Sequence, residues 1–537
     1  MKAKVIVTEG GAWGDEGKGK VSTFYSRGAD LTIRATGGAN AGHTVHINEV
    51  KTANHLVPGG IGYENVMCLI GKGTLIELEV FFNELEEMIR LGVKDAESRI
   101  RIDNMANVLL PCHKVVERLQ DWFRENPIGT TGRGMGPGFG DATTRFGIKV
   151  EHLLLPIEDL TRVISEVFAI HRPLINSYEK WLDKKEKSAN KKEKEARCKE
   201  AEARCTEDAK KKDELLKYAE ELRKVAKAIR RSAWVQPKEE KTQDRKKEKK
   251  PVFTESEWVV VKEMFDNPEE VAKTYKLYGL KLEYLHMVVD GFKFVSQYKN
   301  DPEKTIVVEG AQSISLSITE GHYPMVTSSD ANTLGTLAGA NLNHKDPTEV
   351  VVIFKAYFSK VGNGAFVTEM PSHIDSEGKL IPYDEAEVLE GDIYREELNE
   401  YGATTHRPRR IGHFDAVHAK TAVEKAGGDY LCINCIDSIG LMGQKMGCLK
   451  ICCSYEFDDG SEIDYCPQTF NITGEIPKPR YIEIEGGWTI TKDMTTYESL
   501  PAKAKQYIET IEELVGCKAK YIGIGPKNED LIVRNDL

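Results

Sequence analysis

The chain has 537 residues, of which 40% are hydrophobic and 30% charged, with a formal net charge of −11. That length is enough for a large core and two to four domains, and no apolar run approaches the ~20 residues of a membrane-spanning helix. Eleven cysteines are scattered along the chain without a secretory leader, which points to reduced thiols rather than a disulfide framework.

The opening MKAKVIVTEGG reads as a strand and a turn, not as a signal peptide, so the protein is expected in the cytoplasm. Up to about residue 170, strand-like runs (KVIVTEG, LTIRATGG, NVMCLIG) alternate with helical patterns such as LEVFFNELEEMIRLG. This alternation predicts an α/β fold around a largely parallel sheet. Residues 184–250 break the pattern, with 25 Lys and Arg against 15 Asp and Glu, a balance of +10 that leaves −21 for the rest. Within them Leu215, Tyr218, Leu222, Val225 and Ile229 alternate spacings of three and four, an apolar seam, and Cys198, Ala201 and Cys205 echo it upstream. A charged helical arm or hairpin with a flexible return is expected there. Because acids interleave with the bases and aromatics are few, a solvated insertion is favoured over a nucleic-acid surface. KTIVVEGA, TEVVVIFKAY and DYLCINCID read as further strands of the same sheet, 448–494 as antiparallel strands, and LPAKAKQYIETIEELVG as a helix leading to a last strand. The Cys432–Cys435 pair, read on a strand, faces opposite sides of a sheet, so packing is expected there rather than zinc.

Five polar, mostly glycine-rich segments carry the chemistry. GAWGDEGKGK (11–20) follows the first strand and joins turn-forming glycines and phosphate-neutralising lysines to two acids. TGGANAGHTV (36–45) adds an amide and an imidazole. IGTTGRGMGPGFGD (128–141), followed by Arg145, supplies hydroxyls, backbone donors and guanidinium groups suited to phosphate. VVEGAQSIS (307–315) precedes YPMVTSSDANT (323–333). EYGATTHRPRRIGHFDAV (400–417) places Arg407, Arg409 and Arg410 within four positions, a fork for carboxylates or phosphates.

In this order WGDEGKGK, NAGHT, GTTGRGMGP, EGAQ, VTSS and GATT with its arginines resemble the adenylosuccinate synthetase family, over nearly the whole chain outside 184–250. Members join IMP and aspartate at the expense of GTP. The resemblance implies one large catalytic α/β domain over residues 1–537, with the 184–250 arm inserted. It also implies a Mg²⁺-dependent carbon–nitrogen ligase of purine biosynthesis. By the same resemblance Asp15 is the general base at purine N1 and, with the Gly42 carbonyl, the magnesium ligand. Lys18 neutralises donor phosphates, His43 acts on the leaving β–γ bridge, and Gln312 completes the catalytic group. Asn40, Thr130, Thr131, Arg145, Gln312, Thr327 and Val361 match positions that hold the purine nucleotide. Arg145 does so from a neighbouring subunit, which implies a homodimer. Thr404, Thr405, Arg407 and Arg409 match the loop that grips aspartate. Gly14, Glu16, Gly17, Lys18, Gly19, Gly42, His43, Thr44, Asp437, Gly525 and Pro526 match the donor-nucleotide site.

The departures cluster near the bases. Ala12 and Ala39 replace larger polar residues, Ser317 and Thr319 replace aspartates, and Cys435 stands where relatives pack a lysine over guanine. These keep open a (d)GMP-using enzyme of the viral type, with ATP or dATP as donor. Retention of Asp15 favours IMP. A nucleotide-responsive binding protein that uses the basic arm is the alternative of another class, and intact Asp15, Lys18 and His43 argue against it.

Overall fold

The computed structural model describes residues 2–40, 42–47, 50–125, 128, 130–234, 251–375, 379–382, 387–402 and 407–537, with the backbone alone for 43–47 and 50–53. The chain divides into two compact units, one of residues 1–109, 138–155 and 277–537, the other of 110–137 and 156–276.

The first unit is built on a sheet whose spatial order starts Leu531–Val533, Ala519–Gly523, Tyr430–Asn434, Glu349–Lys355, Lys4–Gly10. It continues Thr305–Glu309, Leu31–Gly38, Met67–Ile76, Ile100–Asp103, Val288–Val289, with Asn107–Val108 also paired to Met67–Ile76. Every pairing is parallel except that of the last strand, Leu531–Val533. The expected mostly parallel α/β architecture is therefore present. The strands KVIV, IVV and VVVIF are nearly continuous apolar runs because both faces of the sheet are covered. Lys4–Gly10 lies in the middle, and the loops that leave the carboxyl ends of its neighbours converge on the loop it feeds, the usual ligand edge of such sheets. A smaller sheet pairs Cys448–Glu456 antiparallel with Lys478–Glu485, as the 448–494 pattern predicts, and Ala502–Val515 is the expected helix before Ala519–Gly523.

The second unit is helical. Trp122, Tyr178, Trp181, Phe253 and Trp258 form its aromatic core, with Tyr178 and Trp258 ring centroids 4.8 Å apart. Helix Ile157–Arg204 runs without a break through position 184, so the charged arm continues a helix rooted in this core. It returns as Ala209–Arg231, capped by Asp208, whose carboxylate accepts from Lys210 N and Lys211 N. The hairpin seam differs from the expected one. Ala219, Leu222 and Ala226 are buried against Ala189, Ala196 and Ala203, whereas Tyr218 is 50% and Val225 45% exposed, and Cys198 and Cys205 are exposed. Alanine lets the two backbones approach closely, a seam that a search for large apolar residues passes over. Arg230 pairs with Glu186 and Glu193, and Arg223 with Glu200, so part of the arm's charge is spent across the hairpin. The return segment 235–250 lies outside the described residues.

Candidate active site

The Lys4–Gly10 strand turns through Gly11–Gly17 into helix Lys18–Ser26. Gly17 enters that helix at φ 82°, a left-handed conformation glycine adopts without strain, and a Cβ on Gly11 would lie 2.0 Å from Phe354. The loop is braced from within. Buried Glu16 accepts from Ala12 N (3.0 Å) and Gly14 N (2.7 Å) on one oxygen and from Lys18 Nζ (3.0 Å) on the other. Its side chain thus holds the turn and is not free to meet a ligand. Lys18 also donates to Gly14 O at 2.9 Å.

Asp15 points the other way, with its side chain 32% exposed, and Arg409 Nη2 donates to its Oδ1 at 3.0 Å. Arg409 Nη1 donates to Glu400 Oε2 at 2.6 Å, and Glu400 Oε1 accepts from Lys355 Nζ and Tyr357 OH, both at 2.5 Å. Burial alone would raise the Glu400 carboxyl. The cations Lys355 and Arg409, with the hydrogen bonds from Lys355 and Tyr357, override it and bring it down to about 2. For Arg409, burial opposes the charge, and Asp15 and Glu400 outweigh it and raise its pKa. Sequence reasoning placed Arg409 with aspartate, gave Glu400 at the head of the same segment no role, and missed Lys355 and Tyr357, which carry no local motif. The arginine trio splits three ways. Arg407 is exposed, Arg409 holds Asp15, and Arg410 pairs with Glu369 and donates to Gly362 O and Gly364 O, fixing the loop of Val361. Thr404 and Thr405 lie outside the described residues.

Gln312, at φ 55°, is nearly buried beside the first loop. Its Nε2 donates to Asn40 Oδ1 (3.3 Å), and Ser329 Oγ donates to its Oε1 (3.3 Å), so the second and fourth glycine-rich segments do meet. Thr327 N donates to Leu316 O at 2.7 Å. The carboxylate missing at Ser317 and Thr319 sits on Asp330, which accepts from both hydroxyls and from Asn332. Ala12 and Ala39 are 3% and 2% exposed, so they pack into the base of these loops. His43 and Thr44 begin the strand His43–Ile47, and their side chains lie outside the described residues; Gly42 is exposed.

A second cluster gathers at the far side of the first loop. Lys20 donates to Gly525 O (2.7 Å) and Asp530 O (2.6 Å), and it lies in the field of Cys435 and Asp437. Gly19 precedes it on the helix, and Pro526 follows Gly525. Burial raises the Asp437 carboxyl. Asn434, another residue without a sequence signal, donates to Glu16 O at 2.7 Å and ties this cluster to the phosphate-type loop. Cys435 is not on a strand: it stands at φ 66° as the N-cap of helix Ile436–Met446, one residue past strand Tyr430–Asn434. Burial pushes its thiol up to about 11. In the second unit, Thr130 and Thr131 precede a turn held by buried Glu117, which accepts from Gly134 N (2.8 Å) and Gly136 N (3.3 Å). Arg145, in the first unit, is exposed at φ 71°.

A braced glycine loop with a buried lysine, an arginine-held carboxylate and an amide pair, all at the carboxyl edge of a parallel sheet, define an α/β nucleotide-handling enzyme. The adenylosuccinate synthetase family model matches residues 5–225 and 216–532. The chain belongs to the adenylosuccinate synthetase family, and it is a carbon–nitrogen ligase. It is 32% identical to the adenylosuccinate synthetase of Acetivibrio thermocellus over 100% of both chains. With that of Exiguobacterium it shares 31% over 99% of each. The fully ligated adenylosuccinate synthetase of Plasmodium falciparum superimposes with a TM-score of 0.70 at 25% identity, covering 99% of this chain and 100% of that one. Among the described residues no helix is long and apolar enough to cross a membrane.

Proposed function

We propose that the protein joins L-aspartate to C6 of IMP, driven by GTP, and that the residues gathered around Asp15 perform the two steps. The observation that carries this reading is the Asp15–Arg409 contact of 3.0 Å beside Lys18 and the Gln312–Asn40 pair. Asp15 takes the N1 proton, so that O6 gains the electron density to attack the γ-phosphorus, while the bond to the β–γ bridging oxygen breaks. Lys18 balances charge on the donor phosphates and His43 gives a hydrogen bond or proton to the leaving bridge oxygen. The aspartate amine then adds to C6 and the 6-phosphate leaves, giving adenylosuccinate, GDP and phosphate. Asn40, Gln312, Thr327 and Val361 hold the acceptor, and Thr130 and Thr131 are assigned to its phosphate by the family resemblance alone.

Thr404, Thr405 and Arg407 receive the aspartate carboxylates together with Arg409, whose buried Nε has no hydrogen-bond partner among the described residues. Asp437, Gly525 and Pro526 receive the donor base. The half-buried carboxylate of Asp15 and the carbonyl of Gly42 are an all-oxygen donor set of the kind Mg²⁺ takes, and these residues would hold it. When bound, the ion offsets negative charge where the acceptor and the phosphates meet.

The test is phosphate release from the purified protein with aspartate and Mg²⁺, pairing IMP, dIMP, GMP and dGMP each with GTP, ATP and dATP. Turnover with IMP and GTP is expected. Turnover confined to dGMP would replace this reading with a 2-aminoadenine-precursor enzyme, and no turnover with any pair would overturn it. Asp15→Ala is expected to abolish turnover while GTP still binds, as followed by calorimetry. Near-normal turnover in that variant would remove Asp15 from the base role.

A further inference from the structure

Three residues that the reaction does not use meet behind the first loop. His322, on the segment after Gly321, His418, on helix Ala416–Ala426, and Cys466, in the loop after strand Glu462–Ile463, are 8%, 2% and 6% exposed. Their ligand atoms all lie within 4.8 Å of one another. Cys466 Sγ is 3.8 Å from His322 Nε2 and 3.9 Å from His418 Nδ1. Tetrahedral zinc, with Zn–S near 2.3 Å and Zn–N of 2.0–2.1 Å, sets S···N separations of about 3.6 Å, close to both of these, and the two imidazoles, which stack at 5.4 Å and 27°, would turn their ligand nitrogens toward the ion on binding. A cavity of about 10 Å³ opens on the cluster, room for one water-sized ligand.

We infer that His322, His418 and Cys466 form a buried binding site for one zinc-class transition-metal ion, with a cavity water as fourth ligand. The donor set, two imidazoles and a thiolate, suits zinc, cobalt(II) or iron(II) and not magnesium. The backbone of each ligand residue is anchored: Cys466 N donates to Thr421 Oγ1 (2.8 Å), His418 N to Asp415 Oδ1 (3.0 Å), and His322 O accepts from Asn471 Nδ2 (2.7 Å). An outer ring of hydrogen bonds is in place as well. Ser315 Oγ meets the other nitrogen of His418 at 2.5 Å, which sets which nitrogen faces the metal. Tyr455 OH lies 3.7 Å from Cys466 Sγ while donating to Asp415 Oδ2 at 2.7 Å. The neighbouring cations are engaged elsewhere, Lys425 with Glu320 O and Lys360 with Ala365 O. Binding replaces the thiol proton of Cys466, which leaves to solvent.

The site's use follows from what rests on it. The Trp13 ring packs edge-on against His418 at 4.8 Å, and Ser315 Oγ reaches Gly11 O at 3.4 Å. A metal here would lock the wall behind the loop that carries Asp15, a structural role separate from the magnesium of the ligase reading.

The test uses the full chain without a histidine tag, stripped by a chelator and titrated with Co²⁺ in excess Mg²⁺. Expected are saturation at one equivalent, a near-ultraviolet thiolate-to-cobalt band, visible absorption of tetrahedral intensity, and displacement by Zn²⁺. Cys466→Ser should lose the near-ultraviolet band and Cys205→Ser, on the exposed arm, should keep it. Zn²⁺ should also raise the melting temperature of the stripped wild-type chain by several degrees. Folded wild-type protein that takes up no stoichiometric Co²⁺ or Zn²⁺, or a band that persists in Cys466→Ser, would overturn the proposal. The wild-type titration decides the matter even if the buried variant fails to fold.

Discussion

Glu9 and Glu400 are both buried carboxyls, and their surroundings drive them in opposite directions. Glu9 is the penultimate residue of the central strand, with neither oxygen hydrogen-bonded among the described residues, and a Cβ on Gly310 would come within 2.3 Å of it. Burial pushes its carboxyl up to about 8, with the neighbouring Thr336 hydroxyl and the charge of Lys18 offsetting part of the effect. Below the ordinary carboxyl range both folded and unfolded chains hold this proton. As pH rises from about 4.5 to 8 the unfolded chain releases it first, and the folded state loses stability on the order of a few kcal/mol. Glu9→Gln should therefore stabilise the protein at pH 8 and change little at pH 4.5, as read by urea unfolding at the two pH values. Glu400, at about 2, has the opposite sign. Its contribution, on the order of 3 kcal/mol, is present above the ordinary carboxyl range and is lost as pH falls from about 4.5 through 2. Acid unfolding of Glu400→Gln should be shallower over that interval, and an unchanged acid limb would show that the Lys355–Arg409 pairing does not hold the charge.

Among the elements, the two glycine-rich turns share one device. In each, an inward carboxylate, Glu16 or Glu117, accepts two backbone N–H groups and fixes the loop without using the loop's outward donors. The charged hairpin is held instead by small residues. Ala219→Leu should overpack the seam and cost about 1–3 kcal/mol of local stability, seen as faster amide exchange across 189–226. Tyr218→Ala, at a half-exposed position, should be close to neutral. The reverse ranking would restore the seam that the spacing of large apolar residues suggests.

For the whole molecule, we propose a homodimer from the resemblance of Arg145, exposed here, to an arginine that reaches the neighbouring subunit. Arg145→Leu and Asp15→Asn should each be inactive alone. Mixed and allowed to exchange subunits, they should recover about a quarter of wild-type activity, because half of the dimers are mixed and each of those has one intact site. No recovery, with a dimer confirmed by sedimentation, would place Arg145 in its own subunit's chemistry.

Much of this was legible in the residues themselves. Strand and helix alternation, six motifs in order and the charged insertion depend on local periodicity and turn chemistry, which a sequence displays directly, and they were enough for the fold class and the family. Tertiary structure decided what depends on distant partners. Glu400 lies 385 positions from Asp15 yet shares Arg409 with it, and Asn434 braces Glu16 from across the sheet. The hairpin seam rests on alanines too small to register as a pattern. His322, His418 and Cys466 are single residues in three unrelated segments, each unremarkable by itself. Only a packed interior, where desolvation forces polar atoms to find one another, gives such residues a common role.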